Sequence, residues 1–315
     1  TKTDMKSDKF INHLVRRLKW DDLDENYIFD LVRTARAEDI EGAGLREKPQ
    51  KAIDITTATI TPHSEIKSFL VARRDMVMCG IKLIPMILKV YEPTVSGESC
   101  VFTPFVNDGD RVAKGGQIGE ISGSARIILQ AERIMLNFIQ RLSGVATVTA
   151  EYVKALGDSQ TKLLDTRKTT PCLRVLEKYA FACGGGYNHR IGLFDRVMLK
   201  DNHLVAAHAV TGDMLANAVR LAKEKNPDVA VEVEVDSIMQ IKPVLEAEAD
   251  VIMLDNFNYA DLRSAIDIIG DKAWTEASGG VKLDNIGAIA KIGPDFVSTA
   301  APVHSGCWID IGLDS

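Results

Sequence analysis

From Lys162 onward the chain repeats one pattern, a short apolar run followed by a stretch with apolar residues at helical spacing. The runs begin near Lys162, Arg196, Val229, Val251, Ala273 and Phe296, at spacings of 34, 33, 22, 22 and 23 residues. Helices are predicted between them over 171–183, 207–225, 237–249, 259–269 and 283–292. A strand that returns through a helix runs parallel to the strand before it, and apolar runs without alternation suit strands covered on both faces. Several such units in series favour closure into an α/β barrel over an open sheet.

Each run also ends in chemistry. The ends read Asp165-Thr166-Arg167-Lys168, Lys200-Asp201-Asn202-His203, Glu232-Val233-Glu234, Asp255-Asn256, Glu276 to Gly280, and Ser298 to His304. In a parallel barrel these ends share one rim, where the active sites of such folds lie. Any one charged residue after a strand reads equally well as a solvated loop residue; six such ends in register point to a site.

Charge sharpens this reading. Between Lys162 and His203 eight Lys and Arg stand against four acids, inside a chain whose net charge is −6. A cationic island in an acidic chain suggests a pocket for a small anion, because guanidinium and ammonium groups bind carboxylate or phosphate strongly. The overall negative charge argues against general nucleic-acid binding. Arg167, Lys168, His189, Arg190 and Lys200 are the candidate anion ligands. In the run VAVEVEV, Glu232 and Glu234 share one face, so the pair is expected to meet cations, water or a metal. Glu234 lies nearer the strand end, and with Asp255 it could hold ribose hydroxyls or the water shell of Mg²⁺. Ser278-Gly279-Gly280 precedes a predicted helix at Leu283, a place where backbone N–H groups hold phosphate.

A length of 315 suggests two domains, and 46% apolar with 26% charged residues is ordinary for a soluble globular chain. The longest apolar stretch, Val77 to Val90, is interrupted by Gly80, Lys82, Pro85 and Lys89, so no membrane span is expected. The polar opening TKTDMKSDKF carries no apolar signal region. Five widely spaced cysteines without a C-x-x-C read as reduced thiols of a cytoplasmic protein.

The first half is less periodic. Two helices are expected within 10–37, strand material at 54–57 and 65–73, and strand then helix over 77–91. Residues 101–121 carry turn signals at Asp108-Gly109 and Gly115-Gly116. They resemble the turn-rich half of a biotinyl or lipoyl carrier, but no modifiable lysine sits at a matching tip, which favours a small β-rich domain. The strongest helical signal is 125–152, with a break expected at Ser143-Gly144 and a second helix from Ala146. Arg133 on this helix reads from spacing alone as solvated or salt-bridged. A helix of about thirteen residues is predicted from Pro171, capped by Thr170.

Taken together, D-T-R-K-T-T-P-x-L-R (165–174), C-G-G-G-Y-N-H-R-I-G-L (183–193), K-D-N-H (200–203), E-V-E-V (232–235), M-L-D-N-F (253–257), E-A-S-G-G (276–280) and E-R-x-x-L-N-x-x-Q-R-L-S-G-V-A-T (132–147) resemble the quinolinate phosphoribosyltransferase family. The resemblance extends from about Asp54 to Asp314. It implies a seven-stranded α/β barrel-like domain over 125–304 and an N-terminal mixed α/β domain over 1–124, joined by 305–315.

The resemblance also implies an activity: quinolinate and phosphoribosyl pyrophosphate give nicotinate mononucleotide, CO₂ and pyrophosphate in de novo NAD synthesis, with Mg²⁺. It implies a homodimer with shared sites, further association into hexamers being left open, in which Arg133 reaches into the partner's site. By the same pattern Arg167, His189, Arg190 and Lys200 hold quinolinate, and Thr166 joins the binding set. Lys168, Glu234 and Asp255 serve phosphoribosyl pyrophosphate and its Mg²⁺. Lys200, Glu234 and Asp255 are the expected catalytic groups. Ser278, Gly279, Gly280, Ala300 and His304 belong to the expected phosphate cradle.

Two positions depart from the family pattern. Cys172 replaces a customary glycine, which just after Pro171 should be tolerated. Thr299-Ala300-Ala301-Pro302-Val303-His304 replaces V-G-A-L-T-H, losing a glycine at Ala300 and an N–H donor at Pro302. The competing readings are a paralogous transferase acting on another anionic base, which the changed loop favours, and a non-catalytic metabolite-binding protein.

Overall fold

The structure is a computed structural model that describes residues 6, 8–95 and 97–315. Its strands, in chain order, are β1 (Glu65–Ala72), β2 (Met76–Val77), β3 (Cys100–Pro104), β4 (Arg111–Val112), β5 (Gln117–Ser124), β6 (Lys162–Leu164), β7 (Val197–Leu199), β8 (Val231–Val235), β9 (Val251–Asp255), β10 (Trp274–Ser278), β11 (Phe296–Ser298) and β12 (Ile311–Asp314). The chain divides into two compact units.

The first unit comprises 18–148, 175–185 and 305–315. Its four-stranded antiparallel sheet has the order β12-β1-β5-β3, and β2 pairs separately with β4. The C-terminal segment thus becomes an edge strand, with Leu70 opposite Leu313 and Ala72 opposite Ile311. Asp54 to Thr57, expected as strand, forms a turn instead. The Asp54 carboxylate accepts the N–H groups of Thr56 and Thr57 at 2.9 and 3.2 Å, a local bond that competes with sheet pairing.

The helix Ala125–Ala155 is continuous, which corrects the break expected at Ser143-Gly144. Gly144 serves close approach rather than termination: a Cβ there would lie 2.3 Å from the carbonyl oxygen of Cys307. Ser143 is likewise engaged, its hydroxyl accepting the Cys79 N–H at 3.1 Å.

The second unit comprises the N-terminal stretch to Arg17, 149–174 and 186–304. Six strands form one parallel sheet in the order β6-β11-β10-β9-β8-β7. The predicted runs at 162, 196, 229, 251, 273 and 296 all fall on these strands. The last strand pairs with the first, so the order is cyclic with its break between β6 and β7; Tyr187 makes an isolated parallel bridge to Leu164 beside that break. Leu14 packs with Leu164, Ala230, Val251 and Phe296 in a buried cluster, so the N-terminal helix Ile11–Leu14 contributes to the core of this unit.

Helix starts in this unit also differ from expectation. The helix after Pro171 begins only at Arg174, because Cys172 takes a left-handed φ of 65° and interrupts any helix from Pro171. The segment predicted as one helix over 207–225 is preceded by a short helix, Asp201–Ala206, and begins at Gly212. His208 (φ 52°) and Gly212 (φ 58°) bracket the intervening turn.

Candidate active site

The C-terminal ends of the parallel strands open into one cavity of about 640 Å³. Each strand delivers its residue as the chain leaves the sheet: Thr166, Arg167 and Lys168 after β6, Lys200 after β7, Glu234 on β8, Asp255 on β9, and Ser278 to Gly280 at the end of β10. His189 and Arg190 enter from the segment that follows the Tyr187 bridge. Eleven expected site residues therefore share the cavity wall. Arg133 does not line it; it is exposed on the helix Ala125–Ala155. Ala300 and His304 also lie outside the lining.

Two buried aspartates brace the segment carrying His189 and Arg190. Asp165, 2% exposed, accepts the Asn188 side-chain amide and the His189 N–H, each at 2.8 Å. Asp195 accepts the Ile191 N–H at 2.5 Å and pairs with Arg16, while His13 Nε2 lies 3.1 Å away. Burial alone would raise the Asp195 carboxyl; the Ile191 N–H and Arg16 outweigh it and hold the group below its ordinary value.

Beneath the cavity lies a buried polar network. Glu232 and Glu276 are both 0% exposed, Arg196 2% and His189 4%. Arg196 Nη1 reaches Glu232 at 3.0 Å, and His189 Nε2 lies 3.1 Å from Glu232 and 3.4 Å from Glu276. Burial opposes the charge on Glu232, but His189 and Arg196 overcome it and drive its carboxyl far below the usual range. Arg190 is shifted down, first by burial and then by Arg167 beside it. Of this network only His189 and Arg190 were singled out from sequence as site residues.

The rim is more open. Lys200 Nζ donates to Glu234 at 2.5 Å, and Asp255 accepts the Asn256 side-chain amide at 2.8 Å. Gly279 has a φ of 89°, and a Cβ there would come within 2.2 Å of Asn256 Oδ1, so close packing against that side chain requires glycine. Asn285 donates to the Gly280 carbonyl at 2.9 Å and fixes the turn. The predicted helix from Leu283 forms only at Ile286, after this turn. In the altered loop the Ala301 N–H is taken by Thr299 Oγ1 at 3.1 Å, and those of Val303 and His304 by the Ala300 carbonyl. Arg167 Nε is buried without a hydrogen-bond partner among the described residues.

Two sets of groups offer donor atoms to a cation, one beneath the cavity and one at its rim. His189, Glu232 and Glu276 have donor atoms within 4.8 Å of one another. Arg196 Nη1, at 3.0 Å from Glu232 and 3.2 Å from His189 Nε2, already supplies the positive charge there. Glu234 and Asp255 offer carboxylate oxygens at the mouth, the donor type that hard divalent cations take.

Comparison with known proteins agrees with this architecture. Residues 54–143 match the N-terminal domain of quinolinate phosphoribosyl transferase and residues 145–314 its C-terminal domain. The probable nicotinate-nucleotide pyrophosphorylase (carboxylating) of Bacillus subtilis is 38% identical over 261 residues, 83% of this chain and 87% of that protein. The chloroplastic nicotinate-nucleotide pyrophosphorylase (carboxylating) of Oryza sativa is 40% identical over 273 residues, 81% of this chain and 71% of its own length. The solved nicotinate-nucleotide pyrophosphorylase of Francisella tularensis superposes with a TM-score of 0.81 at 36% identity, covering 95% of this chain and 99% of that one. Matched over both domains, the chain belongs to the quinolinate phosphoribosyltransferase family.

Proposed function

We infer that the chain is a decarboxylating phosphoribosyltransferase of NAD biosynthesis, which joins quinolinate to phosphoribosyl pyrophosphate and releases nicotinate mononucleotide, CO₂ and pyrophosphate. The observation that carries this reading is the convergence of Arg167, Lys168, Arg190 and Lys200 with two rim acids on one cavity, in a member of this family. Quinolinate has two adjacent carboxylates, and several cations are needed to offset their repulsion and lost hydration. Arg167, His189, Arg190 and Lys200 bind that diacid; Thr166 and Lys168 face the sugar phosphate.

Loss of pyrophosphate leaves positive charge on the ribose, and the carboxylates of Glu234 and Asp255 stabilise it. Lys200, paired with Glu234 at 2.5 Å, orients that carboxylate. Bonding of the ring nitrogen to ribose makes a pyridinium whose adjacent positive charge stabilises the carbanion left at C2 when CO₂ departs, and a proton from solvent then completes the C2–H bond of the product, so decarboxylation follows from the first step. Ser278, Gly279 and Gly280 hold the 5′-phosphate. The occupied N–H groups of the 301–304 segment reduce what Ala300 and His304 add to that grip. Mg²⁺ is the cofactor of this reading: Glu234 and Asp255 would hold it, and it would supply positive charge against the diphosphate leaving group.

The working assembly is a homodimer in which Arg133 completes the partner's site, a reading supported by its exposure on a rigid helix. The parallel sheet is a barrel whose seventh position is taken by the chain at Tyr187, supported by the cyclic strand order and the Leu164 bridge. The compartment is the cytoplasm, supported by free thiols at Cys79, Cys100, Cys183 and Cys307. Among the described residues no helix is long and apolar enough to cross a membrane.

The test is formation of nicotinate mononucleotide from the two substrates with Mg²⁺, followed by chromatography. Arg133→Ala and Lys200→Ala each abolish it. Mixed and allowed to exchange subunits, the two regain about one quarter of wild-type activity, since half the dimers are hybrid and each hybrid keeps one intact site. No recovery in dimers shown to have exchanged would overturn the shared site.

A further inference from the structure

His189 and Arg190 sit between the helix Arg174–Cys183 and β7, outside any strand or helix. No ladder fixes them, so their placement in the cavity depends on what grips the chain on either side. Part of that grip comes from the end of β6. Tyr187 exchanges backbone hydrogen bonds with Leu163 and Asp165, and the Asp165 carboxylate takes the Asn188 side-chain amide and the His189 N–H.

The rest comes from residues 13–17, far away along the chain. The Arg16 carbonyl accepts the Asn188 N–H at 2.9 Å, one residue before His189. The Arg16 guanidinium pairs with Asp195, whose carboxylate accepts the Ile191 N–H at 2.5 Å, one residue after Arg190. Arg16 thus holds the chain on both sides of the pair, once directly and once through Asp195. Arg17 extends the grip: its Nε donates to the Gly186 carbonyl at 3.0 Å, and its guanidinium lies 4.0 Å from the centre of the Tyr187 ring. His13 Nε2 adds contacts to the Asp195 carboxylate at 3.1 Å and to its carbonyl at 3.0 Å.

This strap has its own anchor. Leu14, 1% exposed, packs with Leu164 and Phe296 in the core of the unit, so the strap stays attached without either arginine side chain. It also precedes residue 54, where the match to the family begins. The acids assigned to phosphoribosyl pyrophosphate are held differently: Glu234 lies on β8 and Asp255 on β9, in the middle of the parallel ladder.

We propose that Arg16 and Arg17 are positioning residues that set His189 and Arg190 for the quinolinate diacid. The proposal rests on the reading of the cavity as a quinolinate site. Neither arginine lines the cavity, so both act through the segment they hold. A binding group displaced by about an ångström loses much of its worth, and a segment ordered in advance need not be ordered when the ligand arrives. Because the strap grips the quinolinate-binding segment and the ladder carries Glu234 and Asp255, loosening the strap weakens one substrate and spares the other.

Steady-state kinetics of the whole protein test this, each substrate being varied with the other saturating and Mg²⁺ present, below the thermal midpoint of every variant. Arg16→Ala removes the Asp195 half of the grip and keeps the backbone half. It should raise the quinolinate KM about tenfold and leave the phosphoribosyl pyrophosphate KM within about twofold of wild type. Arg17→Ala, with the Arg16 contacts intact, should raise the quinolinate KM about threefold. Arg16→Lys returns a cation to Asp195 and should recover most of the alanine loss. An unchanged quinolinate KM in Arg16→Ala, a loss confined to kcat, equal rises in both KM values, or a lysine variant no better than alanine overturns the proposal. A wild-type protein that forms no mononucleotide overturns the functional reading instead.

Discussion

Glu232 and Glu234 lie two residues apart on β8 and point to the same side, yet they sit in different media. Glu232 is 0% exposed and enclosed by Arg196 and His189. The Glu234 side chain is 14% exposed and meets Lys200, itself 39% exposed, at the cavity mouth. The floor therefore holds Glu232 against Arg196 and His189, a pairing that offsets the desolvation cost of its charge. The rim keeps its charges within reach of ligand and water, where a partner can be exchanged. Depth along a strand, more than residue type, separates the groups that build this site from those that use it.

The largest expected effect is at the rim. Lys200→Ala should lower turnover by about a thousandfold, on the scale of losing a preorganised electrostatic group, while the thermal midpoint stays near wild type. A matching fall in stability would place Lys200 with the floor instead. Next comes Glu232→Ala, which strips Arg196 of its counter-charge and should cost about 3–5 kcal/mol in denaturant unfolding. Glu234→Ala should cost no more than about 1 kcal/mol and still lose activity. Equal stability losses in the two variants would erase the contrast.

The two floor acids should also respond to pH in opposite directions. Glu232 has its folded pKa depressed, so its stabilisation is present at neutral pH and is lost as pH falls through the folded value. Glu276 has its folded pKa raised above 4.5, so the folded state holds the extra proton and stability declines as pH rises above 4.5. Unfolding free energies of wild type and Glu276→Gln, measured across pH, should diverge in the variant's favour toward higher pH. Parallel curves would mean that Glu276 is ionised. The smallest effect belongs to Cys172, whose φ of 65° strains a residue with a Cβ. Cys172→Gly should gain about 0.5 kcal/mol, relief of left-handed strain being partly offset by a more flexible unfolded chain.

How much of this was legible before the fold was seen depends on the kind of signal. The six parallel strands stood out because few architectures besides a helix-covered parallel sheet bury short apolar runs at such regular spacing. Their charged ends followed, since a parallel sheet brings every such end to one side. Glycine was ambiguous: Ser143-Gly144 reads as a helix stop, but Gly144 makes room for the Cys307 carbonyl, a contact from far along the chain. The floor network was hidden for a related reason. Alternation in V-E-V-E-V shows that two glutamates share a face, and order along the run already puts Glu234 nearer the rim, but Arg196 just before β7 and Glu276 on β10 reach Glu232 and His189 through strand pairing that no local pattern reveals. Arg133 shows the converse, since nothing in its own helix distinguishes it from a solvated residue, and the role proposed for it comes only from family resemblance.

The central claim is that this cavity transfers phosphoribose to the quinolinate nitrogen and thereby releases the neighbouring carboxyl group. Quinolinate labelled separately at the C2 and C3 carboxyls tests it most directly. The account predicts labelled CO₂ from the C2 position only, dependent on phosphoribosyl pyrophosphate and equal in amount to the mononucleotide formed, with the C3 label retained in product. Release without phosphoribosyl pyrophosphate, release from C3, or no release by the intact protein would contradict it.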